Sequence, residues 1–417
     1  MRKIKRRIKP FFKVGKSKLY QGNALAILRK IPDESVQSCI TSPPYWGLRD
    51  YDTIPQIWDE RRIGYCKQYI ADNSNTIVEV NYIRNGHDWG KRIIKRRTHT
   101  DHGTSTLSGS NKDQMKSTSY KSSSQVCRYC GAWRGSLGLE PHPDLYVNHL
   151  VQIFNEVKRI LKPNGIAWLN IGDSYAGGGG VHGIPDDWDS ISTKNRSKHP
   201  DTVDPKRNAK AIGLKPKDLV GIPWKVAFAL QSRGWYLRQD IIWNKPNPMP
   251  ESVTDRCTKT HEYIFLLSKS QKYYFDYKAI KEPCTPANIA DLRGRKTMMN
   301  KGDHGGTRKD LARSRLDYMA EDLMRNKRSV WTINSSTYKG AHFAVFPEGL
   351  IKPCILAGTK KGDVVIDPFA GSGTTAVLCE KAHRNWLGIE LSEKYCKMIK
   401  RRVKPYYKRR IASLGLT

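Results

Sequence analysis

Two segments at opposite ends of the chain combine residue types that could carry chemistry on a nitrogen nucleophile. The first is Thr41-Ser42-Pro43-Pro44-Tyr45-Trp46. The Ser42 hydroxyl and the Pro43 carbonyl are hydrogen-bond acceptors on a segment stiffened by two consecutive prolines. Acceptors of this kind can engage the protons of an exocyclic amino group on a base. They localise its lone pair and stabilise the charge that develops as the nitrogen is alkylated. Tyr45 offers a flat face on which a base turned out of a duplex can stack, and alignment of the nucleophile with the reacting carbon supplies further acceleration. Pro43-Pro44 alone is equally the mark of an ordinary turn, so the second segment decides.

That segment is Asp367-Pro368-Phe369-Ala370-Gly371-Ser372-Gly373-Thr374-Thr375-Ala376, between an apolar strand and a helix, with Glu390 closing the next strand. The glycines allow a ligand to approach the backbone closely, and a carboxylate at the second strand end can accept from both hydroxyls of a ribose. A phosphate-gripping loop is excluded, because Gly373 is followed by Thr374-Thr375 rather than Lys-Ser or Lys-Thr. A dinucleotide turn is matched formally by Gly371-Ser372-Gly373-Thr374-Thr375-Ala376. S-adenosylmethionine is the other reading, and Asp367 adds a carboxylate well placed for its ammonium or sulfonium side.

These segments need strands to deliver them. Ser35 to Ile40 reads as a strand ending at the proline loop, and two prolines place that loop beyond the strand's carboxyl end, where open α/β sheets bind ligands. Val364 to Ile366 and Trp386 to Glu390 read as buried strands, with a helix from the turn to Lys381 and a last helix over Ser392 to Arg402. Lys18-Leu19-Tyr20 is a short strand, followed by a helix over Ala24 to Lys30 with Asn23 as its cap. A helix from Asp144 stops at Lys162-Pro163-Asn164-Gly165, and a buried strand follows to Ile171. Asp218 to Ser232 reads as a helix with Pro223 in its first turn, and Trp235 to Trp243 as a strand. Glu262 to Leu267 and Lys272 to Asp276 read as the arms of a hairpin. The alternation of strand and helix predicts a parallel α/β sheet.

The whole chain has 417 residues, with 73 Lys and Arg against 39 Asp and Glu, a formal net charge of +34. The excess recurs in separate blocks and points to a polyanionic partner, nucleic acid. The nine cysteines do not form a secreted disulfide framework, and no signal peptide or membrane span is legible, so a reducing cytoplasm is the expected compartment. Residues 1–16 read as a basic N-terminal arm. Residues 52–140, 177–215 and 278–328 read as polar, basic loops able to hold DNA, with affinity that falls as salt rises.

Together the two motifs resemble those of the amino-methylating DNA methyltransferases, the cytosine-N4 and adenine-N6 enzymes. The order, catalytic loop first and cofactor turn near the C-terminus, resembles that family's circularly permuted beta group. Trp168 to Tyr175, Asp240 to Ser252 and His342-Phe343-Ala344-Val345-Phe346-Pro347 are similar to further family segments. The resemblance implies a Rossmann-like S-adenosylmethionine-dependent methyltransferase sheet, circularly permuted, with inserted loops. The catalytic domain would comprise residues 17–51, 141–277 and 329–417, with an insertion at 52–140 and a target-recognition insertion at 278–328.

The resemblance further implies Ser42, Pro43, Pro44 and Tyr45 as the catalytic residues. Asp367, Pro368, Phe369, Gly371, Gly373, Thr374, Glu390, Asn23 and Phe346 would hold the cofactor. Family members often carry Gly-Asp where this chain has Gly22-Asn23, so an amide replaces a carboxylate there. Ser before Pro-Pro usually accompanies cytosine-N4 methylation, and Asp or Asn accompanies adenine-N6, so Ser42 favours cytosine with adenine as the alternative. Cys127 and Cys130 are spaced as half of a zinc site. Similar insertions carry Cys-x-His upstream, and here His87 remains without its cysteine, with Cys66 as a substitute. The implied partner is double-stranded DNA, leaving a homodimer and a cognate restriction nuclease open. An RNA or protein amino-methyltransferase, a nicotinamide oxidoreductase and a non-catalytic DNA-binding relative are the rival classes.

Overall fold

A computed structural model describes residues 8–47, 55–58, 65–71, 77–84, 91–97, 117–123, 127, 132–177, 212–285, 324–335 and 347–415. In chain order the elements are β1 (Phe12–Val14), β2 (Ser17–Gln21), α1 (Ala24–Leu28), β3 (Val36–Thr41), β4 (Gln56–Trp58), β5 (Tyr65–Ala71), β6 (Ile77–Arg84), β7 (Lys91–Arg97), β8 (Ser117–Ser123) and β9 (Trp133–Gly135). They continue with α2 (Pro143–Ile160), β10 (Leu161–Ile171), α3 (Ile222–Ser232), β11 (Tyr236–Asn244), β12 (His261–Ser268), β13 (Glu282–Pro283), β14 (Met324–Arg325) and β15 (Val330–Thr332). The last are α4 (Glu348–Gly358), β16 (Val364–Asp367), α5 (Thr374–Lys381), β17 (Asn385–Glu390) and α6 (Glu393–Ser413).

Two compact units emerge, one from residues 1–45, 150–174 and 219–417, the other from 46–149 and 175–218. The first holds a sheet in the order β1-β2-β17-β16-β3-β10-β12-β11-β15. β2, β17, β16, β3 and β10 run parallel. Their apolar runs, such as Val365-Ile366 and Cys39-Ile40, are buried, as a parallel sheet covered on both faces requires. β12 runs antiparallel to both β10 and β11, so the sheet is mixed rather than wholly parallel. Alternation along β12 sorts its side chains by face. Ile264 and Leu266 join a core with Leu350, Ile351, Val377 and Ile399 from α4, α5 and α6. Tyr263 and Phe265 instead meet the Trp224 ring of α3 edge-on.

Three expectations are corrected. Lys272 to Asp276 forms no strand, and β12 is a central strand with both edges taken by β10 and β11, which leaves no edge for a hairpin partner. The final helix runs on to Ser413 with Pro405 inside it. Within the basic N-terminal segment Phe12–Val14 is an edge strand, because β1 closes a hairpin onto β2 at Gly15. β2 lies parallel beside β17, with Leu19 opposite Gly388.

The second unit contains the antiparallel pairs β4 with β9, β5 with β6, and β7 with β8. The basic run Lys91–Arg97 is therefore a strand rather than a featureless loop. Among the described residues no helix is long and apolar enough to cross a membrane.

Candidate active site

Sheet direction gathers the site. The carboxyl ends of β2, β17, β16, β3 and β10 share one edge, which brings Gly22-Asn23, Glu390, Asp367, Thr41 and Asn170 to it. β12 runs the other way and begins at that edge, placing Glu262 there, and β11 ends there with Asn244 opposite His261. Lys245 follows directly.

Asp367 closes β16 and is 4% exposed. Its Oδ1 accepts from Thr41 Oγ1 at 2.7 Å and from the Phe369 amide at 3.1 Å, and its Oδ2 accepts from Thr375 Oγ1 at 2.8 Å. Burial raises this carboxyl to about 6, and the three hydrogen bonds oppose the rise. The sequence places the carboxylate toward the cofactor's ammonium or sulfonium side. In the fold its oxygens are engaged by donors of the chain itself, so that Asp367 ties the end of β3 to the first turn of α5.

Glu390 lies beside it. Its Oε2 accepts from the Gly371 amide and its Oε1 from the Ser392 amide, both at 2.8 Å. Burial raises its carboxyl to about 7, those bonds oppose the rise, and the Asp367 charge adds to it. Each carboxylate oxygen retains a lone pair for a ribose hydroxyl. Gly371 has φ +50°, and among the described residues beyond its chain neighbours only Phe369 O lies within 4 Å of the place a Cβ would occupy, at 3.8 Å. That open cradle next to a buried carboxylate is what a nucleoside cofactor needs, so the residues present fit S-adenosylmethionine.

Gly373 also serves packing. At φ +83° a Cβ there would stand 2.8 Å from Ile399 Cγ1 on α6, so its absence lets α5 and α6 close together. Pro368 and Thr374 are buried and Phe369 is half-buried. Asn23 Oδ1 accepts from the Ala26 amide at 2.9 Å and caps α1, while the Gly22 amide donates to Glu390 O at 2.9 Å. Phe346 lies outside the described residues.

The Pro-Pro-Tyr loop leaves β3 at Thr41. Ser42 Oγ lies 3.3 Å from Tyr45 Oη, and Tyr45 Oη donates to Glu262 Oε2 at 2.6 Å. Asn170 Oδ1 is 3.1 Å from the same phenol. Asn170 Nδ2 donates to Glu262 Oε2 and to Tyr263 O, each at 3.1 Å. Lys245 Nζ donates to Glu262 Oε1. The Tyr45 ring rests against bare backbone, since a Cβ on Gly172 would meet its Cε2 at 2.6 Å. Asn170, Gly172 and Lys245 lie in segments similar to the family but were given no individual role from sequence, and Glu262 was not singled out at all. The available signals were a charge heading the apolar run of β12 and an amide inside that of β10.

In the second unit Cys127 is buried and its amide donates to Ala132 O at 2.8 Å. His87 and Cys130 lie outside the described residues. Among the described residues no three potential metal ligands come together, so zinc gains no support. That unit is organised instead around a buried pair, with His149 Nδ1 2.8 Å from Glu140 Oε1. Burial raises the Glu140 carboxyl and the His149 hydrogen bond opposes the rise. The imidazole stacks on Trp58 at 4.7 Å and on Trp133 at 5.5 Å between ring centroids.

A family model described as DNA methylase (N6_N4_Mtase) matches residues 36–401. The chain belongs to this family. The matched span contains both motifs, and membership makes the protein a DNA methyltransferase dependent on S-adenosylmethionine. The methylase is 37% identical over 377 residues to Type II methyltransferase M.Cfr9I of Citrobacter freundii, a match covering 90% of this chain and 84% of that one. It is 36% identical to M.XycI of Xanthomonas campestris pv. cyanopsidis, over 91% of this chain and 85% of that one. It is 44% identical to M.SmaI of Serratia marcescens, over 64% and 77% respectively.

Proposed function

We propose that the methylase modifies the N4 amino group of a cytosine flipped out of double-stranded DNA, at a specific sequence. The observation that carries this reading is the Thr41 to Asp367 hydrogen bond of 2.7 Å. It holds the residue that leads into the Ser-Pro-Pro-Tyr loop against the turn that cradles the cofactor, so acceptor groups and cofactor cradle adjoin. S-adenosylmethionine, when bound, supplies an electrophilic methyl group on a sulfonium. Gly371 leaves room for it, and Glu390 holds its ribose.

Ser42 Oγ and the Pro43 carbonyl accept the two amino hydrogens, which keeps the nitrogen lone pair on the nitrogen and aimed at the reacting carbon. Tyr45 stacks on the base. Ser42 at the head of the loop favours cytosine over adenine. The relatives' description as Type II methyltransferases supports site-specific action. The net charge of +34 supports a duplex partner whose affinity falls steeply with salt.

The test is to incubate duplex DNA with labelled cofactor, digest it to nucleosides and identify the product by mass spectrometry. N4-methylcytosine is expected. Label in methyladenosine alone would overturn the base assignment, and none in DNA would overturn the substrate.

A further inference from the structure

The hydroxyl of Ser42 can either accept an amino hydrogen or direct its own hydrogen at the amino group, and only the first helps the reaction. The direction is set by what the Ser42 hydrogen does. Tyr45 Oη lies 3.3 Å from Ser42 Oγ, but it accepts from Ser42 only when its own single hydrogen is committed elsewhere. Among the described residues Glu262 Oε2 at 2.6 Å and Asn170 Oδ1 at 3.1 Å face that hydrogen. The nearer one carries the charge, and charge-assisted bonds are the shorter and stronger. Lys245 on Glu262 Oε1 and the Asn170 amide on Oε2 hold the carboxylate in place. Its side chain is 16% exposed.

We propose that Glu262 is the positioning residue that sets the direction of this hydroxyl chain, so that Ser42 presents lone pairs rather than a hydrogen to the target amino group. The assignment rests on the proposed amino-methylation. Glu262 keeps the Tyr45 hydrogen, Tyr45 keeps the Ser42 hydrogen, and the Ser42 oxygen faces the substrate as an acceptor. An amide at position 262 reverses the chain. Lys245 retains the amide oxygen, and the amide NH2 takes the place of Oε2, where it meets the Asn170 NH2 that donates there. The Asn170 amide turns to give its oxygen to the new NH2, which withdraws Oδ1 from the phenol. The phenol hydrogen then moves to Ser42 Oγ, and the Ser42 hydrogen opposes the amino hydrogens of the base.

Glu262→Gln tests this with little change in volume. Single-turnover methyl transfer to a duplex carrying the target site should fall by about 30-fold, the range expected on losing one charge-assisted hydrogen bond. The dissociation constants for cofactor and duplex should stay within about threefold, and fluorescence of 2-aminopurine beside the target should still report base flipping. Tyr45→Phe keeps the ring and removes the link. It should slow transfer on its own, and adding E262Q to it should cost less than about twofold more, because the two act through one chain.

An E262Q rate near that of the unaltered protein, losses that multiply in the double variant, or a rate loss matched by weaker binding would each overturn the assignment. An unchanged rate in Tyr45→Phe would do the same. No transfer to DNA by the unaltered protein would instead overturn the proposed function, and the assignment with it.

Discussion

The Thr41 hydroxyl donates to Asp367 Oδ1 at 2.7 Å across the two central parallel strands β3 and β16. Residues from opposite ends of the chain thereby meet, and neither side chain is more than 4% exposed. Thr41→Val keeps the shape and removes the donor from a buried carboxylate. Urea denaturation should show a loss of about 1–3 kcal/mol, whereas Thr41→Ser should remain within about 0.5 kcal/mol of the native protein. Equal stability of Thr41→Val and the native protein would contradict this role.

The two glycines of the turn should separate stability from binding. Gly373→Ala places a methyl 2.8 Å from Ile399 Cγ1 at φ +83° and should cost about 2–4 kcal/mol, visible as a lower melting temperature. Gly371→Ala meets no such neighbour among the described residues and should cost only about 1 kcal/mol for its positive φ. It should weaken cofactor binding about tenfold or more in calorimetry, since the methyl enters the cradle.

Cofactor affinity should depend on pH through Glu390. Burial brings its carboxyl to about 7, so the group is ionised above that pH and protonated below it. A carboxylate accepts ribose hydroxyls better than a carboxylic acid does. Affinity should therefore be highest above pH 7 and decline as pH falls through 7, approaching tenfold per unit. Glu390→Gln should bind weakly with a flat profile over the same range, and a sloped profile in that variant would assign the effect elsewhere.

Tyr45 owes its place to a missing side chain. Gly172→Ala brings a methyl to 2.6 Å from Tyr45 Cε2, so the ring must shift or the strand end must move. Methyl transfer should slow by about 10-fold or more while cofactor affinity stays within about threefold, because even small displacements of positioning groups are costly. Stopped-flow rates and calorimetry on one preparation would check both.

The parts of the site legible in sequence were those made by local chain geometry. Pro43-Pro44 declares a loop wherever it occurs, and Gly371 and Gly373 declare a turn with positive φ. The neighbouring of β2 and β17 was inferable because β17 needed a partner strand. What the sequence hid depends on strand order. Lys272 to Asp276 has the look of a hairpin arm, yet β12 pairs with β10 and β11 instead, a choice made by long-range packing that periodicity does not encode. The antiparallel run of β12 is also why Glu262 reaches the site, and nothing in His261-Glu262-Tyr263 announces it. Asp367 shows the converse. Its motif was plain, but only the fold shows that its oxygens bind Thr41 and Thr375.

The pairing of Leu19 with Gly388 also governs how the protein is made. β2 is made long before its parallel partner β17, so the cofactor half of the sheet cannot close until β17 has followed. Until β17 arrives, β16 lacks a neighbour on one edge and β2 has only the short hairpin arm β1. Such open edges invite pairing with other chains. Closure of this half is dominated by contacts distant in sequence, which slow folding.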